Sequence, residues 1–220
     1  MELIAYTIIA IAGYLLGSIP TGYWVGRAKG VDIRQAGSGN IGATNAFRVL
    51  GKPAGIFVLA MDALKGFAAC QWAAPLVITL LDLPANPDFS IYYYGPVLAG
   101  LAAILGHLFP CWLRFQGGKG IATTGGVFGA LAWQAVLLTV TIWLLVLALT
   151  RYVSLASIAA AITLPIMVWL TNGQTILVLL TVCISLLALY KHKSNMRRLL
   201  QGTEHRFGSS KPVAAHKSTP

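Results

Sequence analysis

The chain has 220 residues, of which 57% are hydrophobic and 10% are charged, and its mean hydropathy is +0.74. This composition excludes an ordinary soluble domain, which is far less apolar at the same length. The formal net charge of +10 does not indicate nucleic-acid binding. The basic residues lie between hydrophobic runs, as is typical of the cytoplasmic loops of membrane proteins.

The hydrophobic runs predict membrane-spanning helices. A helix needs about 20 apolar residues to cross a hydrocarbon core of about 30 Å, and the alternation typical of strands does not dominate. The first run has no basic segment before it and no cleavage site after it, so we expect it to be retained. The prediction is an all-α, polytopic membrane helical bundle. The runs lie at residues 3–26, 53–81, 91–113, 121–149, 152–171 and 174–190.

The charges between the runs predict the orientation of the chain. Residues 27–52 carry five basic residues and one acidic residue, whereas residues 81–92 carry Asp82 and Asp88 and no basic residue. We expect the first of these loops to be cytoplasmic and the second to be external, which places the N-terminus outside. The basic segment that begins at Lys191 is expected to be cytoplasmic as well.

An even number of crossings must then separate residues 120 and 191, although only three runs are visible between them. The longest run, 121–149, begins with several glycines and has the polar Gln134 near its middle. We expect this run to form a hairpin of two short helices, each about 20 Å long. The total is seven helical segments, with the C-terminus inside. Six spans with the C-terminus outside are the alternative.

A glycine-rich and polar segment at residues 37–45, followed by Arg48, stands out from the apolar chain. Glycines allow backbone N–H groups to converge, short polar side chains add donors, and an arginine suits a phosphate, so the pattern indicates an anion site. The alternative is an ordinary polar connection between two helices. The candidate residues are Gly37, Ser38, Asn40, Thr44, Asn45 and Arg48.

A second glycine-rich turn occupies residues 114–120, before an expected helix start. Gly117 and Gly118 would expose backbone donors, and Lys119 would add a charge near the helix N-terminus. The pattern GxxxxGK[ST] is absent, so this is not a P-loop. The alternative is that its basic residues only mark the inner membrane border.

Other polar residues lie near or within the last, second and third runs. His192 and Asn195 share a face if the last helix continues beyond the membrane, where they could act on a proton and an oxyanion or merely anchor the helix end. Asp62 and Lys65 are expected to neutralise one another as a structural pair, and His107 to be a buried hydrogen-bonding group. We interpret Glu204 as part of a solvated charged segment.

The cysteines and acidic residues do not form a metal-ligand pattern. Cys70, Cys111 and Cys183 lie in or at the ends of apolar runs, without a C-x-x-C pair or a histidine at ligand spacing. The six acidic residues are scattered along the chain. We therefore predict no disulfide framework and no metal site, which disfavours a metal-dependent phosphatidyltransferase.

The topology predicts that segments 37–48, 114–120 and 191–206 meet at the cytoplasmic face. We expect one integral-membrane domain at residues 1–206 and a disordered cytoplasmic tail at residues 207–220, which is rich in Ser, Pro, Ala and Lys. The convergence of polar segments at one face is the main functional indication from the residues themselves.

Three groups of motifs together resemble the PlsY-type glycerol-3-phosphate acyltransferases, which are bacterial membrane enzymes. The matching stretches are Gly17 to Gly22 with Gly37 to Arg48, Gly106-His107 with Phe115 to Gly120, and His192 with Asn195 and Arg197. The resemblance implies seven helices, a cytoplasmic active site in the inner membrane, and no metal, coenzyme A or other cofactor. It also implies acyl transfer from acyl phosphate to the 1-hydroxyl of glycerol 3-phosphate, giving lysophosphatidic acid and phosphate.

The same resemblance implies which residues act. Ser38, Arg48, Lys119, His192 and Asn195 are expected to be catalytic, with the remaining glycine-loop residues binding the two phosphorylated substrates. His192 or the donor phosphate would accept the hydroxyl proton. Which loop binds which phosphate stays open, as do acyl-chain preference and protein partners.

Two rival functions follow from the same residues. A soluble-type glycerolipid acyltransferase would carry His-x4-Asp, but Trp112 follows His107 at that spacing and Arg197 follows His192. A membrane transporter of organic phosphates would also suit basic, glycine-broken helices, but it would place its site near the membrane midplane rather than at one face.

Overall fold

The computed structural model describes residues 1–83 and 91–208, and all the regular structure in these residues is helical. The prediction of an all-α fold is confirmed for this part of the chain. The predicted tail lies outside the described residues from 209 onward, and Asp88 also lies outside them. The helices are α1 (Glu2–Ser18), α2 (Thr21–Ala28), α3 (Ala43–Leu50), α4 (Lys52–Ala68), α5 (Ala74–Leu80), α6 (Ile91–Leu108), α7 (Ile121–Leu131), α8 (Trp133–Thr150), α9 (Val153–Thr171), α10 (Thr175–Lys191) and α11 (Lys193–Leu200).

Several of these helices are long and apolar enough to cross a membrane. Five described helical segments meet that test, and a sixth does so if α10 and α11, which meet at a bend of 57°, count as one span. The runs at 3–26, 53–81, 91–113 and 152–171 match four of these segments to within about two residues at each end, and the run at 174–190 matches α10 in the same way. The chain is therefore a multi-pass membrane protein by length and composition.

The run at 121–149 contains two helices, as expected, but they are unequal. The break falls at Ala132, and α7 has 11 residues whereas α8 has 18 residues. At 1.5 Å per residue α8 is about 27 Å long, so the expectation of two short arms was wrong for the second helix. Only the shorter α7 is too short to span a bilayer unaided.

The described chain divides into two compact units, one formed by Met1–Leu131 and the other by residues 132–208. The prediction of a single catalytic domain over residues 1–206 stays a prediction.

The first unit is built by close approach of helices. α1 packs along α6, α4 packs along α7, and α3 packs on α4. A methyl group at Gly17 would overlap with the backbone of Ala103, and one at Gly126 would overlap with the backbone of Ala63. Small residues permit such contact between membrane helices, where packing rather than water exclusion stabilises the interface. α7 is thereby held firmly against α4 despite its short length.

The second unit consists of α8, α9, α10 and α11. α9 packs between α8 and α10, and α11 contacts α9 and α10. Trp143 Nε1 donates to Ser157 Oγ at 3.3 Å, which links α8 to α9. Few residues of α8 are buried, as expected of a helix whose apolar surface faces lipid.

Candidate active site

The first loop, residues 29–48, comprises the turn after α2 and most of α3, and it is organised by the side chain of Asn45. This side chain is only 2% exposed, and its Nδ2 donates to the carbonyl oxygens of Ile33, Ala36 and Asn40 at 3.1, 3.0 and 2.9 Å. Its Oδ1 accepts from the backbone N–H of Ser38 at 2.9 Å. One amide group thus contacts four backbone groups, with one of the two Nδ2 hydrogens shared between two carbonyls, and the loop folds around it.

Two other predicted substrate-binding residues also shape this loop. Asn40 Oδ1 accepts from the N–H of Gly42 at 2.8 Å, which forms the turn that precedes α3. Gly37 has a φ of +61°, and a methyl group there would overlap with Oδ1 of Asn45. The structure therefore gives Gly37, Asn40 and Asn45 a direct role in loop conformation. Their predicted contact with substrate stays a prediction.

The groups that the first loop presents at its surface suit an anion. Ser38 and Thr44 are exposed, and Arg48 is half-buried. Thr44 and Arg48 are separated by one turn of α3, so they lie on the same face of that helix. Hydroxyl groups, a helix N-terminus and a guanidinium are thereby gathered in one short segment.

A neighbouring arginine in the first loop is already neutralised. Arg34 pairs with Asp32 at 2.7 Å between Nη2 and Oδ2, and its guanidinium lies 4.7 Å from the ring centre of Tyr23. The side-chain hydrogen bond from Arg34 outweighs the effect of burial and lowers the pKa of Asp32 to about 2. Arg34 therefore remains paired at physiological pH, and it is a poor candidate for a phosphate ligand.

The second loop, residues 109–120, is fixed by main-chain hydrogen bonds to the end of α6. The N–H of Gly117 donates to the carbonyl of Leu108 at 3.2 Å, and the N–H of Gly118 donates to the carbonyl of His107 at 3.1 Å. The predicted exposure of these two donors to a phosphate is therefore wrong in this conformation. The glycines act through their lack of side chains, and their assignment to substrate binding stays a prediction.

Lys119 lies between this turn and the start of α7. Its side chain is half-buried, and α7 begins two residues later at Ile121. The N–H groups of a first helical turn have no partner within the helix, so the expected combination of a lysine with a helix N-terminus is present here.

The two loops share one apolar cluster in the first unit. Leu113 of the second loop is buried with Ile33 and Ile41 of the first loop, Ala46 of α3 and Val58 of α4. The predicted meeting of the segments that carry Arg48 and Lys119 is therefore supported within this unit.

The predicted pairing of Asp62 with Lys65 is confirmed. Lys65 Nζ lies 2.9 Å from Asp62 Oδ1 and donates to the carbonyl of Ile19 at 2.9 Å. His107 Nδ1 lies 3.6 Å from the same carboxylate oxygen. Asp62, Lys65 and His107 are 3%, 5% and 4% exposed, respectively. This polar cluster is buried within the helices of the first unit.

In the second unit, His192 marks the bend between α10 and α11, with φ of −93° and ψ of 4°. The condition under which His192 and Asn195 would share a face, one helix continuing through both residues, is therefore not met. His192 Nδ1 lies 2.8 Å from the carbonyl of Ala188. A carbonyl oxygen only accepts, so Nδ1 carries the hydrogen of this contact, and Nε2 carries the lone pair whenever the ring is neutral.

Asn195 is held by a carboxylate that we had interpreted as solvated. Glu204 accepts from Asn195 Nδ2 at 2.8 Å and from Arg198 Nε at 2.6 Å. Burial raises the pKa of Glu204, but the hydrogen bonds from Asn195 and Arg198 outweigh it, so the pKa lies below its ordinary value. Sequence spacing gave no sign of this contact, because the chain turns back after α11 to make it.

The chain matches the family model described as glycerol-3-phosphate acyltransferase over residues 7–202. A glycerol-3-phosphate acyltransferase of Fusobacterium nucleatum is 45% identical over 204 residues, covering 92% of this chain and 98% of the relative. One from Geotalea daltonii is 45% identical over 200 residues, covering 91% and 96%.

Two solved structures are also similar. Both are crystal structures of PlsY (YgiH), an integral membrane glycerol 3-phosphate acyltransferase. The glycerol 3-phosphate form has a TM-score of 0.81 and 39% identity and covers 92% of this chain and 96% of its own. The lysophosphatidic acid form has a TM-score of 0.78 and 38% identity and covers 92% and 95%. The chain belongs to the glycerol-3-phosphate acyltransferases, a family of membrane acyltransferase enzymes.

Proposed function

We propose that this protein transfers an acyl group from an acyl phosphate to the 1-hydroxyl of glycerol 3-phosphate, giving lysophosphatidic acid and inorganic phosphate. The observation that carries the proposal is its similarity to one enzyme in a glycerol 3-phosphate form and a lysophosphatidic acid form. Lysophosphatidic acid is glycerol 3-phosphate with one acyl group added, so these ligands correspond to acceptor and product.

The choice of donor rests on charge and reactivity. An acyl phosphate is an activated mixed anhydride, so no covalent enzyme intermediate is needed. The main obstacle is the repulsion between two phosphorylated reactants, which cationic side chains reduce. Arg48 and Lys119, on two loops that share an apolar cluster, suit this role. The reaction so written requires no metal or coenzyme A.

In this proposal the residues of the first unit bind and orient the phosphates. Ser38 and Thr44 donate hydrogen bonds from exposed positions, and Arg48 offers the bidentate geometry that phosphate favours. Lys119 acts as a point charge at the start of α7. Gly37, Asn40, Asn45, Gly117 and Gly118 hold the loops in the conformations that present these groups.

His192 and Asn195 are proposed to assist the chemical step. The hydroxyl oxygen attacks the acyl carbon, the bond from that carbon to the phosphate oxygen breaks, and phosphate leaves. Asn195 donates a hydrogen bond to the oxyanion. The proton passes either to Nε2 of His192 or to the donor phosphate. A His192→Gln variant separates these routes. It removes the proton acceptor of the histidine route and leaves that of the donor-phosphate route in place.

We also propose seven membrane segments, with the N-terminus outside and the C-terminus inside the bacterial inner membrane. The support comes from the basic residues of 27–52 and of the segment after Lys191, which favour a cytoplasmic position. The five long apolar segments, α7 as a short segment and α10 as a span together make seven. The active site would then face the cytoplasm, with residues 207–220 as a tail.

The proposal is tested with purified protein in detergent, acyl phosphate and radiolabelled glycerol 3-phosphate, without coenzyme A or magnesium. We expect label in lysophosphatidic acid and one phosphate released for each acyl group transferred. Failure to form labelled lipid, together with passage of glycerol 3-phosphate across vesicles that contain the protein, would support a transporter instead.

A further inference from the structure

The buried polar cluster of Asp62, Lys65 and His107 has no role in the proposed reaction steps. A charged pair inside a membrane helix is costly, so such residues usually serve a purpose. Lys65 has a local structural purpose, because it donates a hydrogen bond to the carbonyl of Ile19 where the chain passes from α1 to α2. This contact accounts for the lysine and its counter-ion. It does not account for a histidine at the same carboxylate.

The ring of His107 lies close against the main chain of Gly118. A methyl group at Gly118 would overlap with Nε2 of His107 and would come within 2.7 Å of its Cε1 and 3.1 Å of its Cδ2. All three of the nearest atoms therefore belong to the same imidazole. The second loop therefore contacts this ring at Gly118, the residue immediately before Lys119.

His107 also holds the second loop through its own main chain. Its carbonyl accepts the N–H of Gly118, and a methyl group at Gly117 would overlap with the same carbonyl. On its other side the ring faces the carboxylate of Asp62, with 3.6 Å between Nδ1 and Oδ1. The ring is therefore enclosed between a fixed charge in α4 and the turn that carries Lys119.

We propose that His107, oriented by Asp62, is a positioning residue that sets the conformation of the second loop and hence the place of the Lys119 ammonium. This inference rests on the proposed function, in which Lys119 binds a substrate phosphate. A small displacement of a binding group lowers the efficiency of the reaction strongly, even when the group itself is intact.

The test is a double-mutant cycle with Gly118→Ala and His107→Ala, read by kcat, by the KM for both substrates and by the thermal unfolding midpoint in detergent. We expect Gly118→Ala alone to raise the KM for a phosphorylated substrate by about tenfold or more, with a smaller change in kcat. In the His107→Ala background the added methyl enters the space left by the ring. Gly118→Ala should then change KM by less than about twofold.

Gly117→Ala is the matched control. A methyl at Gly117 would meet the carbonyl of His107, Pro110 Cδ at 2.5 Å and the carbonyl carbon of Leu108 at 2.8 Å. These atoms remain when the imidazole is removed, so its effect should be the same in both backgrounds. Gly125→Ala, with nothing within 4 Å of the added methyl, should leave KM unchanged.

The inference is overturned if Gly118→Ala is equally harmful with and without the imidazole, or if His107→Ala leaves both KM values at the wild-type level. Should His107→Ala fail to fold, His107→Asn replaces it, since the amide retains an N–H donor toward Asp62 and removes the ring. A wild-type protein without acyl transfer would instead refute the proposed function. The unfolding midpoints would still report on the contact between His107 and Gly118.

Discussion

The first and second loops look alike in sequence, yet they are held in different ways. In the first loop one buried side chain, Asn45, binds four backbone groups. In the second loop the backbone N–H groups of Gly117 and Gly118 bind the end of α6, and His107 lies beneath. In the first loop Gly37 permits a left-handed turn, and in the second loop Gly118 permits the close approach of the His107 ring.

This difference determines how each loop responds to substitution. The first loop depends mainly on the hydrogen bonds of the Asn45 side chain, so a change at Asn45 removes most of its internal support. The second loop depends on the absence of side chains, so added volume is what harms it. Each loop presents one cation of the proposed site, Arg48 or Lys119.

The largest expected effects come from the cations. Arg48→Ala and Lys119→Ala should each lower kcat/KM by about a thousandfold or more, because each removes a charged partner of a substrate phosphate in the proposed site. Acyl-transfer assays on protein purified from membranes measure this. Equal losses would show that both loops serve the same reaction.

Exposed basic residues provide the controls for these variants. Lys52→Ala in α4 and Arg114→Asn in the second loop remove a charge without touching the proposed site, and asparagine tolerates the φ of 52° at residue 114. Both should keep near-normal rates. Near-normal rates for Arg48→Ala and Lys119→Ala would remove the site assignment.

Asn45→Ala tests the support of the first loop. It leaves the carbonyls of Ile33, Ala36 and Asn40 without their donor, which destabilises the loop by about 1–3 kcal/mol for each buried group that water cannot reach. We expect a hundredfold loss of activity, on the order given by misplacement of a binding group. Hydrogen exchange should quicken at residues 33–45 and stay unchanged at residues 114–120. Equal quickening in both loops would contradict the separate supports described here.

Glu204→Gln extends the comparison to the second unit, where a carboxylate rather than an amide holds a site residue. The folded-state pKa of Glu204 is lowered below its ordinary value of 4.5. Its contribution to stability is therefore present above about pH 4.5 and is lost as the pH falls through the lowered pKa. The variant should lose about 1–2 kcal/mol at pH 7.

Unfolding midpoints between pH 3 and 7 measure this effect. The wild type should lose its advantage over Glu204→Gln at the acid end of the range. An advantage that is constant with pH would show that the carboxylate charge does not hold Asn195 and Arg198.

The smallest effect is expected from Arg34→Gln, in the same loop as Ser38. Arg34 is paired with Asp32 at the surface, and exposed pairs contribute less than about 1 kcal/mol. KM and kcat should stay within about twofold of the wild type. A large rise in the KM for glycerol 3-phosphate would show that Arg34, rather than Arg48 alone, binds phosphate.

Much of the helical architecture could be predicted from the sequence, because crossing a bilayer demands long apolar runs with few charges. The pairing of Asp62 with Lys65 also followed from spacing, since residues three apart in a helix lie on one face. The unequal division of the run at 121–149 did not follow. Its break at Ala132 is not marked by glycine, proline or charge.

The supports of the site were harder to predict than its reactive residues. Asn45 was expected to bind substrate because its amide fits a phosphate loop, and only the fold shows that the amide binds backbone groups. Glu204 was interpreted as solvated because tertiary contacts after α11 leave no periodic pattern. The bend at His192 could not be predicted either. The polar sequence of α11 is compatible both with a straight continuation of α10 and with a separate helix.

The central claim is that the first and second loops act together at the cytoplasmic face. The direct test places single cysteines at the exposed positions Gln35 and Gln116, in a background in which Cys111 and Cys183 are serine and Cys70, 1% exposed, is retained. A membrane-impermeant maleimide is applied to sealed vesicles of known orientation. We predict that both cysteines react only from the cytoplasmic side, and that glycerol 3-phosphate with acyl phosphate slows the reaction of both. Reaction of the two cysteines from opposite sides would contradict the account.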